Sequence, residues 1–190
     1  MKKIFTLITL LIIIGSFSTV KAQVECVGGG IVLSTGAKYN YDGLDYMNKS
    51  FGFDLRALYN YNKKLHIVPD FKFYLPNKDD ETFANGETKV TAFAFNLNAH
   101  YILNSRSRDN YRLYLLGGVH VGMWKIKDDH YSDLYNKYYD VNEFKFFPGA
   151  NVGAGMQFEF GSNLIFFAEA KYVLAKTNQL VFTPGILVYL

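Results

Sequence analysis

The sequence predicts an all-β fold: an eight-stranded antiparallel up-and-down transmembrane β-barrel that follows an N-terminal signal peptide. Three observations carry this prediction. Successive segments alternate a nearly charge-free apolar face with a mixed polar one, the period of two that a strand imposes. These segments run from about 11 to 17 residues, beyond the roughly 5–6 of globular strands and enough for the roughly 9–11 tilted residues that cross a bilayer. The links between them alternate long and short. Aromatic residues make up 17% of the 190-residue chain and charged residues 19%, a balance that suits strands better than helices.

Residues 1–22 stand apart. Lys2 and Lys3 precede an apolar run from Ile4 to Ile14, and Gly15–Ala22 is mostly small and polar, with Val20 and Ala22 at the −3 and −1 positions. This is a secretory signal peptide cut after Ala22. Its apolar run is short for a membrane span of about 20 residues. The barrel domain is then residues 23–190. The chain has 20 Lys and Arg against 17 Asp and Glu, and the leader holds three of the bases and no acid. The mature chain is therefore neutral, its apparent basicity belongs to the leader, and nothing points to nucleic acid. Cys26 is the single cysteine, which excludes a disulfide framework. Gln23, Val24 and Glu25 before it lack the small apolar run of a lipidation site, so Cys26 is expected to be buried or to face lipid.

The first strand, Val24 to Ser34, contains Gly28, Gly29 and Gly30, and its phase is ambiguous. Ile31, Val32 and Leu33 continue a strand rather than open a helix, which excludes a phosphate-cradling loop. A loop from Thr35 to Lys49 follows. The second strand, Ser50 to Tyr61, sets Phe51, Phe53, Leu55, Ala57, Tyr59 and Tyr61 against Gly52, Asp54, Arg56, Leu58 and Asn60. Asn62–Lys64 is a tight turn. The third, Leu65 to Leu75, opposes Leu65, Ile67, Pro69, Phe71, Phe73 and Leu75 to His66, Val68, Asp70, Lys72 and Tyr74. The polar segment Pro76–Glu87 reads as a loop.

The fourth strand, Thr88 to Leu103, alternates Phe93, Phe95, Leu97, Ala99 and Tyr101 with Ala94, Asn96, Asn98 and His100. Asn104–Asn110 is a turn. The fifth, Tyr111 to Ile126, places Leu113, Leu115, Val119, Val121 and Met123 opposite Arg112, Tyr114, Leu116, His120 and Trp124. The longest loop, Lys127–Glu143, comes next. The sixth strand, Phe144 to Phe160, opposes Phe146, Val152, Met156 and Phe158 to Lys145, Asn151, Gln157 and Glu159. After the turn Gly161–Asn163, the seventh, Leu164 to Leu174, opposes Phe166 and Tyr172 to Phe167, Glu169 and Lys171. The last strand, Gln179 to Leu190, puts Leu180, Phe182, Ile186, Val188 and Leu190 on one face.

A soluble barrel would bury the charge-poor face, and a membrane barrel turns it to lipid. Strand length favours lipid, as does the alternation of links: 12 to 17 residues after strands one, three and five, and three to seven after strands two, four and six, broken only by the link of about four residues after strand seven. Long outer loops and short inner turns alternate in this way in outer-membrane barrels. Lys89 and Lys125 dissent from the apolar face, but each lies at a strand end within reach of water. The other face carries Asp54, Arg56, Asp70, Lys72, Arg112, Lys145, Glu159, Glu169 and Lys171, with Glu25 a further candidate. These near-balanced charges predict a lumen plugged by ion pairs, because buried charges must be paired. Pro69, Pro148 and Pro184 each remove a ladder donor, so a bulge or strand end is expected near at least one of them.

No nucleophile elbow, HExxH or paired-cysteine motif occurs, so no catalytic residue, metal site or cofactor is expected. His66, His100 and His120 take lumen parity and are expected to be hydrogen-bonded there. The loop Lys127–Glu143 is rich in acids and tyrosines. Asp128, Asp129, Tyr131, Asp133, Tyr135, Tyr138 and Tyr139 form a candidate interaction surface. Its acids suit Ca²⁺ or cations bridging lipopolysaccharide, without EF-hand spacing.

PGANVGAGMQFEF (148–160), GSN (161–163), FFAEAKYVL (166–174) and TPGILVYL (183–190) together resemble the small outer-membrane β-barrel domains of Gram-negative bacteria, the porin-family or outer-membrane-protein β-barrel group. The resemblance implies an outer-membrane location and contact with outer-membrane lipid and lipopolysaccharide. It also implies a monomer whose final strand is read by the barrel-assembly machinery. Thr183, Gly185, Val188 and Leu190 fill the places of that assembly signal, with Leu190 where an aromatic is usual. The expected role is structural or surface-interacting rather than enzymatic. A narrow passive channel and a soluble periplasmic ligand-binding barrel are the alternatives.

Overall fold

The computed structural model describes residues 24–41, 44–48, 51–79, 86–104, 110–132 and 137–190. The predicted leader and its expected cleavage site lie outside them. Ten strands are present among the described residues: β1 (Val24–Ser34), β2 (Ala37–Tyr41), β3 (Leu44–Asn48), β4 (Phe51–Asn62), β5 (Leu65–Asp79), β6 (Gly86–Ile102), β7 (Tyr111–Ser132), β8 (Lys137–Phe160), β9 (Leu164–Ala175) and β10 (Gln179–Tyr189). Eight of them close a barrel in the order β1-β10-β9-β8-β7-β6-β5-β4. All its pairings are antiparallel, and β1 seals it by pairing with both β10 and β4. Closure leaves the wall without an edge, the condition for a sheet to lie in hydrocarbon.

The faces divide as the alternation requires. Leu55 is 65% exposed, Val119 59% and Phe95 54%, while the residues between them point inward. A water-soluble fold does not leave such a continuous apolar band uncovered. The ambiguous phase of the first strand has a local cause. A bulge between Val24 and Cys26 shifts the register against β4, so Val24 faces outward although it shares the parity of Cys26, which is fully buried in the interior.

The short links owe their shape to side-chain amides. Asn62 Oδ1 accepts from the backbone N–H groups of Lys64 and Leu65 at 2.9 and 3.0 Å. Asn104 bridges the next turn, accepting from Leu113 N–H at 2.6 Å and donating to Tyr111 O at 2.9 Å. Such self-bonding is why Asn serves turns. Gly161 opens the turn from β8 to β9 at a φ of 68°, a conformation that glycine adopts without penalty.

The three prolines are accommodated without bulges at their own positions. Backbone bonds such as Ile102 N–H to Lys64 O, Glu159 N–H to Asn110 O and Tyr189 N–H to Asn163 O set which residues of each strand face which neighbour. By that parity, Pro69 directs its nitrogen at β4, and the β4–β5 pairing skips from Arg56↔Asp70 to Tyr59↔Ile67 with no change of register. The wall is dished there into a depression of about 570 Å³ lined in part by Ala57, Pro69 and Phe95. Pro184 directs its nitrogen at β1, where pairing skips from Gly30↔Gly185 to Leu33↔Phe182. Pro148 faces the β9 side, where pairing ends at Gly149↔Ala175. The bulge of β5 falls instead between Tyr74 and Asn77, around Pro76.

Three predicted loops are corrected. Residues 35–49 contain the two-stranded hairpin β2–β3, which touches β5 and β6 and buries Ala37 among the residues at that end of the lumen. Pro76–Glu87 is shortened by strand pairing up to Asp79↔Thr88. Lys127–Glu143 is largely a ribbon, with β7 and β8 paired out to Ser132↔Lys137. Their polarity had signalled loop, but a ribbon beyond the bilayer needs paired backbone, not an apolar face.

Candidate functional site

The middle of the lumen is a closed set of charges. Arg56, on β4, reaches Asp54 through Nε at 2.6 Å and clasps Glu169 of β9 through both terminal nitrogens at 2.9 and 3.4 Å. Its guanidinium also lies 4.1 Å over the Phe167 ring. Lys72 of β5 binds the other oxygen of Asp54 and lies 3.5 Å from Asp70. Lys171 of β9 meets Asp70 at 3.2 Å and Glu169 at 4.0 Å. Three bases and three acids thus form one neutral network, and every one of them is at least 94% buried. A planar fork suits Arg56 for two carboxylates at once.

Neutral amides complete it. Asn96 and Asn98 donate to the two oxygens of Asp70 at 2.6 and 2.7 Å. Asn151 donates to Asn96 and Asn98 at 2.9 Å each. The Tyr114 hydroxyl donates to Glu169 at 3.2 Å, and Lys72 Nζ donates to Thr183 at 3.4 Å. Together these bonds join β4, β5, β6, β7, β8, β9 and β10 through the barrel's middle.

Apolar layers lie on both sides of this network. Toward the hairpins, Val32, Tyr74, Val90, Trp124, Ile126 and Phe147 belong to one cluster, in which Trp124 and Phe147 meet edge to face at 5.5 Å. Toward the short turns, Cys26, Leu58, Val68, Ile165, Phe167 and Leu187 form another, and Ile102, Tyr114 and Leu116 a third. The remaining sequence-chosen charges do not join the central network. Arg112 and Glu159 pair at 2.5 Å at the turn end, each about 30% exposed, and Tyr189 donates to the same Glu159 oxygen at 3.2 Å. Lys145 pairs with Glu143 near the hairpins. A face assignment places charges on the correct side of the wall but not at the correct height.

All three lumen-parity histidines are buried. His120 bonds Asn96 at 2.7 Å. His100 stacks on Tyr114 at 4.3 Å and lies 3.6 Å from Glu169, yet neither of its ring nitrogens has a hydrogen-bond partner. His66 likewise leaves Nδ1 unbonded. The expectation that all three are hydrogen-bonded therefore fails for His100, whose ring is held by stacking. Among the described residues no group of three or more His, Cys, Asp or Glu could hold a metal.

The residues expected to form an assembly signal divide between faces. Thr183 is fully buried. Gly185 lies beneath the Phe167 ring, so close that a Cβ there would stand 2.4 Å from the ring and 2.3 Å from Gly29 O. Val188 and Leu190 are exposed, and Leu190 N–H donates to Glu25 O at 3.1 Å.

The interaction surface proposed from sequence lies on the β7–β8 ribbon. The backbones of Asp128, Asp129 and Tyr131 are in β7, and those of Tyr138 and Tyr139 in β8. Asp133 and Tyr135 lie outside the described residues. What sequence reading missed is that this ribbon has a free side. β8 pairs with β7 from Lys137 to Phe158, but with β9 only from Gly149 onward. Between Lys137 and Pro148 one side of β8 has no strand partner among the described residues.

Comparison with known proteins agrees with this architecture. The model of the outer membrane protein beta-barrel domain matches residues 7–184. No curated protein matches the chain. Among solved structures, Neisserial surface protein A aligns with a TM-score of 0.59 at 15% identity, covering 89% of this chain and 99% of that one. The N-terminal β-barrel domain of Pseudomonas aeruginosa OprF aligns at 0.56 and 13% identity, covering 90% and 100%. Ail, the attachment invasion locus protein of Yersinia pestis, solved with the heparin analogue sucrose octasulfate, aligns at 0.54 and 17%, covering 88% and 100%. With the fold, the lipid-facing wall and the family match in agreement, the chain belongs to the outer membrane protein β-barrel domain family.

Proposed function

We propose that this protein is an exported outer-membrane barrel with a plugged lumen, whose role is structural or surface-interacting through its hairpin end. The observation that carries the reading is the neutral, buried network of Asp54, Arg56, Asp70, Lys72, Glu169 and Lys171 lying between apolar layers. An ion crossing the barrel would have to break those pairs and pass dry residues, both costly steps. Eight strands also leave an interior just wide enough for side chains to fill.

On this reading the short turns and both ends of the barrel chain face the periplasm, and the long ribbons face outward. The leader is removed after Ala22. The protein is a monomer that contacts outer-membrane lipid and lipopolysaccharide, and the assembly machinery reads Thr183, Gly185, Val188 and Leu190. Protease added to intact cells should cut within residues 127–143 while the rest of the barrel survives. Cleavage only after the cells are broken would refute the orientation. In planar bilayers the reading requires silence. Steady single-channel conductance would favour the narrow passive channel instead. The protein should migrate on gels in a heat-modifiable way, and recovery as a soluble periplasmic monomer would return the ligand-binding barrel to first place.

A further inference from the structure

We infer that His66 and His100 form an acid-sensitive latch on the lumen plug: when they take up protons, the clasp between Arg56 and Glu169 loosens and the lumen admits small anions. The inference rests on the plugged lumen proposed above.

The register of the wall builds the pair. His66 of β5 and His100 of β6 are direct cross-strand partners, and both side chains turn inward, to 2% and 0% exposure. Most buried side-chain nitrogens have a hydrogen-bond partner. Here His66 Nδ1 and both ring nitrogens of His100 have none. Gln157 of β8, opposite Arg112 in the register, leaves Oε1 unbonded in the same half of the barrel. Polar atoms of this kind are where water enters a protein interior. The way in is from the short turns, where Arg112 and Glu159 are about 30% exposed.

His100 lies against the clasp itself. Its Nε2 is 3.6 Å from Glu169 Oε2. That oxygen already accepts from Arg56 Nη1 at 2.9 Å and from the Tyr114 hydroxyl at 3.2 Å, and the Tyr114 ring stacks on the imidazole. Tyr114 in turn lies over Gly155, where a Cβ would stand 2.4 Å from the ring, so the stack has little room to slide. A neutral His100 leaves this arrangement alone. A protonated one carries N–H groups on both ring nitrogens and is drawn to Glu169 as a competing cation. Closing the 3.6 Å gap takes acceptor capacity from Arg56 and Tyr114.

The charges around the pair do not balance added protons. His100 is faced by Arg56 from β4, His66 from β5, Tyr114 from β7, and Glu169 and Lys171 from β9. The acid among them, Glu169, is already shared by Arg56 and Lys171. His66 is faced by Arg112 from β7, whose own partner is Glu159. Two imidazoliums directly opposite each other on neighbouring strands repel. The central network is neutral before protonation, so each proton adds one uncompensated positive charge to a narrow lumen. Positively charged linings select anions in pores.

The test uses the full mature protein in planar bilayers of zwitterionic lipid under a potassium chloride gradient, at about pH 7.5 and about pH 4.5, a span that covers the titration of imidazole. The wild type should be silent at the higher pH and open at the lower, with a reversal potential on the chloride side. A latch set by one proton changes its open fraction by up to about tenfold per pH unit. His100→Gln stays polar and takes up no proton, so it should be silent at both values while keeping heat-modifiable migration. Glu159→Gln, at the mouth, should open in acid as the wild type does. Should His100→Gln not fold, ring-nitrogen resonances of the wild type in nanodiscs decide: His100 must gain its proton in the folded barrel over the interval in which the channel opens. Silence of the wild type in acid would overturn the latch. So would acid opening that persists in His100→Gln, that is lost in Glu159→Gln, or that precedes protonation of His100. Conductance already present at the higher pH would refute the plugged lumen, and a conductance that acid and His100→Gln both leave unchanged would refute the latch as well.

Discussion

Arg56 holds the lumen together. It bonds two carboxylates and covers an aromatic ring, all away from water. Replacing it with methionine leaves Asp54 with Lys72 but strips Glu169 of its closest cation. Removing one member of a buried ion pair costs about 3–5 kcal/mol. The urea midpoint of Arg56→Met in lipid should fall accordingly, and adding Glu169→Gln should recover part of the loss. An unchanged midpoint in the single variant would show that the network contributes little. Gly185 makes a second residue-scale prediction. A methyl group there meets the Phe167 ring and Gly29 O, so Gly185→Ala should destabilise by about 1–3 kcal/mol. Phe167→Leu should relieve only the ring's share. If the midpoint does not move, the close approach is not a constraint on stability. The sequence marks Gly185 by its place in the final strand, but the ring above it comes from β9, which no spacing in β10 reveals.

At the scale of the element, the strands were legible because each wall residue has one of two fates, lipid or lumen. That binary choice writes a period of two into the chain. The same logic fails outside the membrane. The ribbons of β7 and β8 beyond Ile126 and Glu143 carry no apolar face, so Lys127–Glu143 reads as loop although its backbone is paired to Ser132↔Lys137. The prolines show the converse. Their positions were plain in sequence, but whether each makes a bulge, a gap or an end depends on which neighbour its nitrogen faces. Pro69→Ala supplies the donor that the carbonyl of Ala57 lacks. Hydrogen exchange should then find a protected amide at position 69 with the β4–β5 register unchanged, and the seam should gain on the order of 0.5–1.5 kcal/mol. Rapid exchange at that amide would mean the seam is held open by something other than the missing N–H.

For the whole molecule, the charges sort by depth into two systems with different responses to salt. The central network is buried and net neutral, and buried pairs are screened little. The unfolding midpoint should therefore change little between low and high salt. The Arg112–Glu159 pair at the turn end is about 30% exposed, so salt screens it more than the network. A steep fall of the midpoint with salt would mean that water reaches the network and the lumen is not closed.

The sequence by itself determined the number of barrel strands, the faces of all but the first, and the alternation of long with short links over the first six. All of these follow from local alternation and turn chemistry, and each is decided within a few neighbouring residues. It also set the charges on the face opposite the apolar one. Only the tertiary structure decided which of those charges meet. Arg56 and Glu169 are 113 residues apart in the chain, and closure with strand stagger sets the height at which each side chain enters the lumen. The same closure separated Arg112, Glu159 and Lys145 from the central network. It also exposed the edge of β8, because an edge exists only where a neighbouring strand ends, and β9 ends at Ala175.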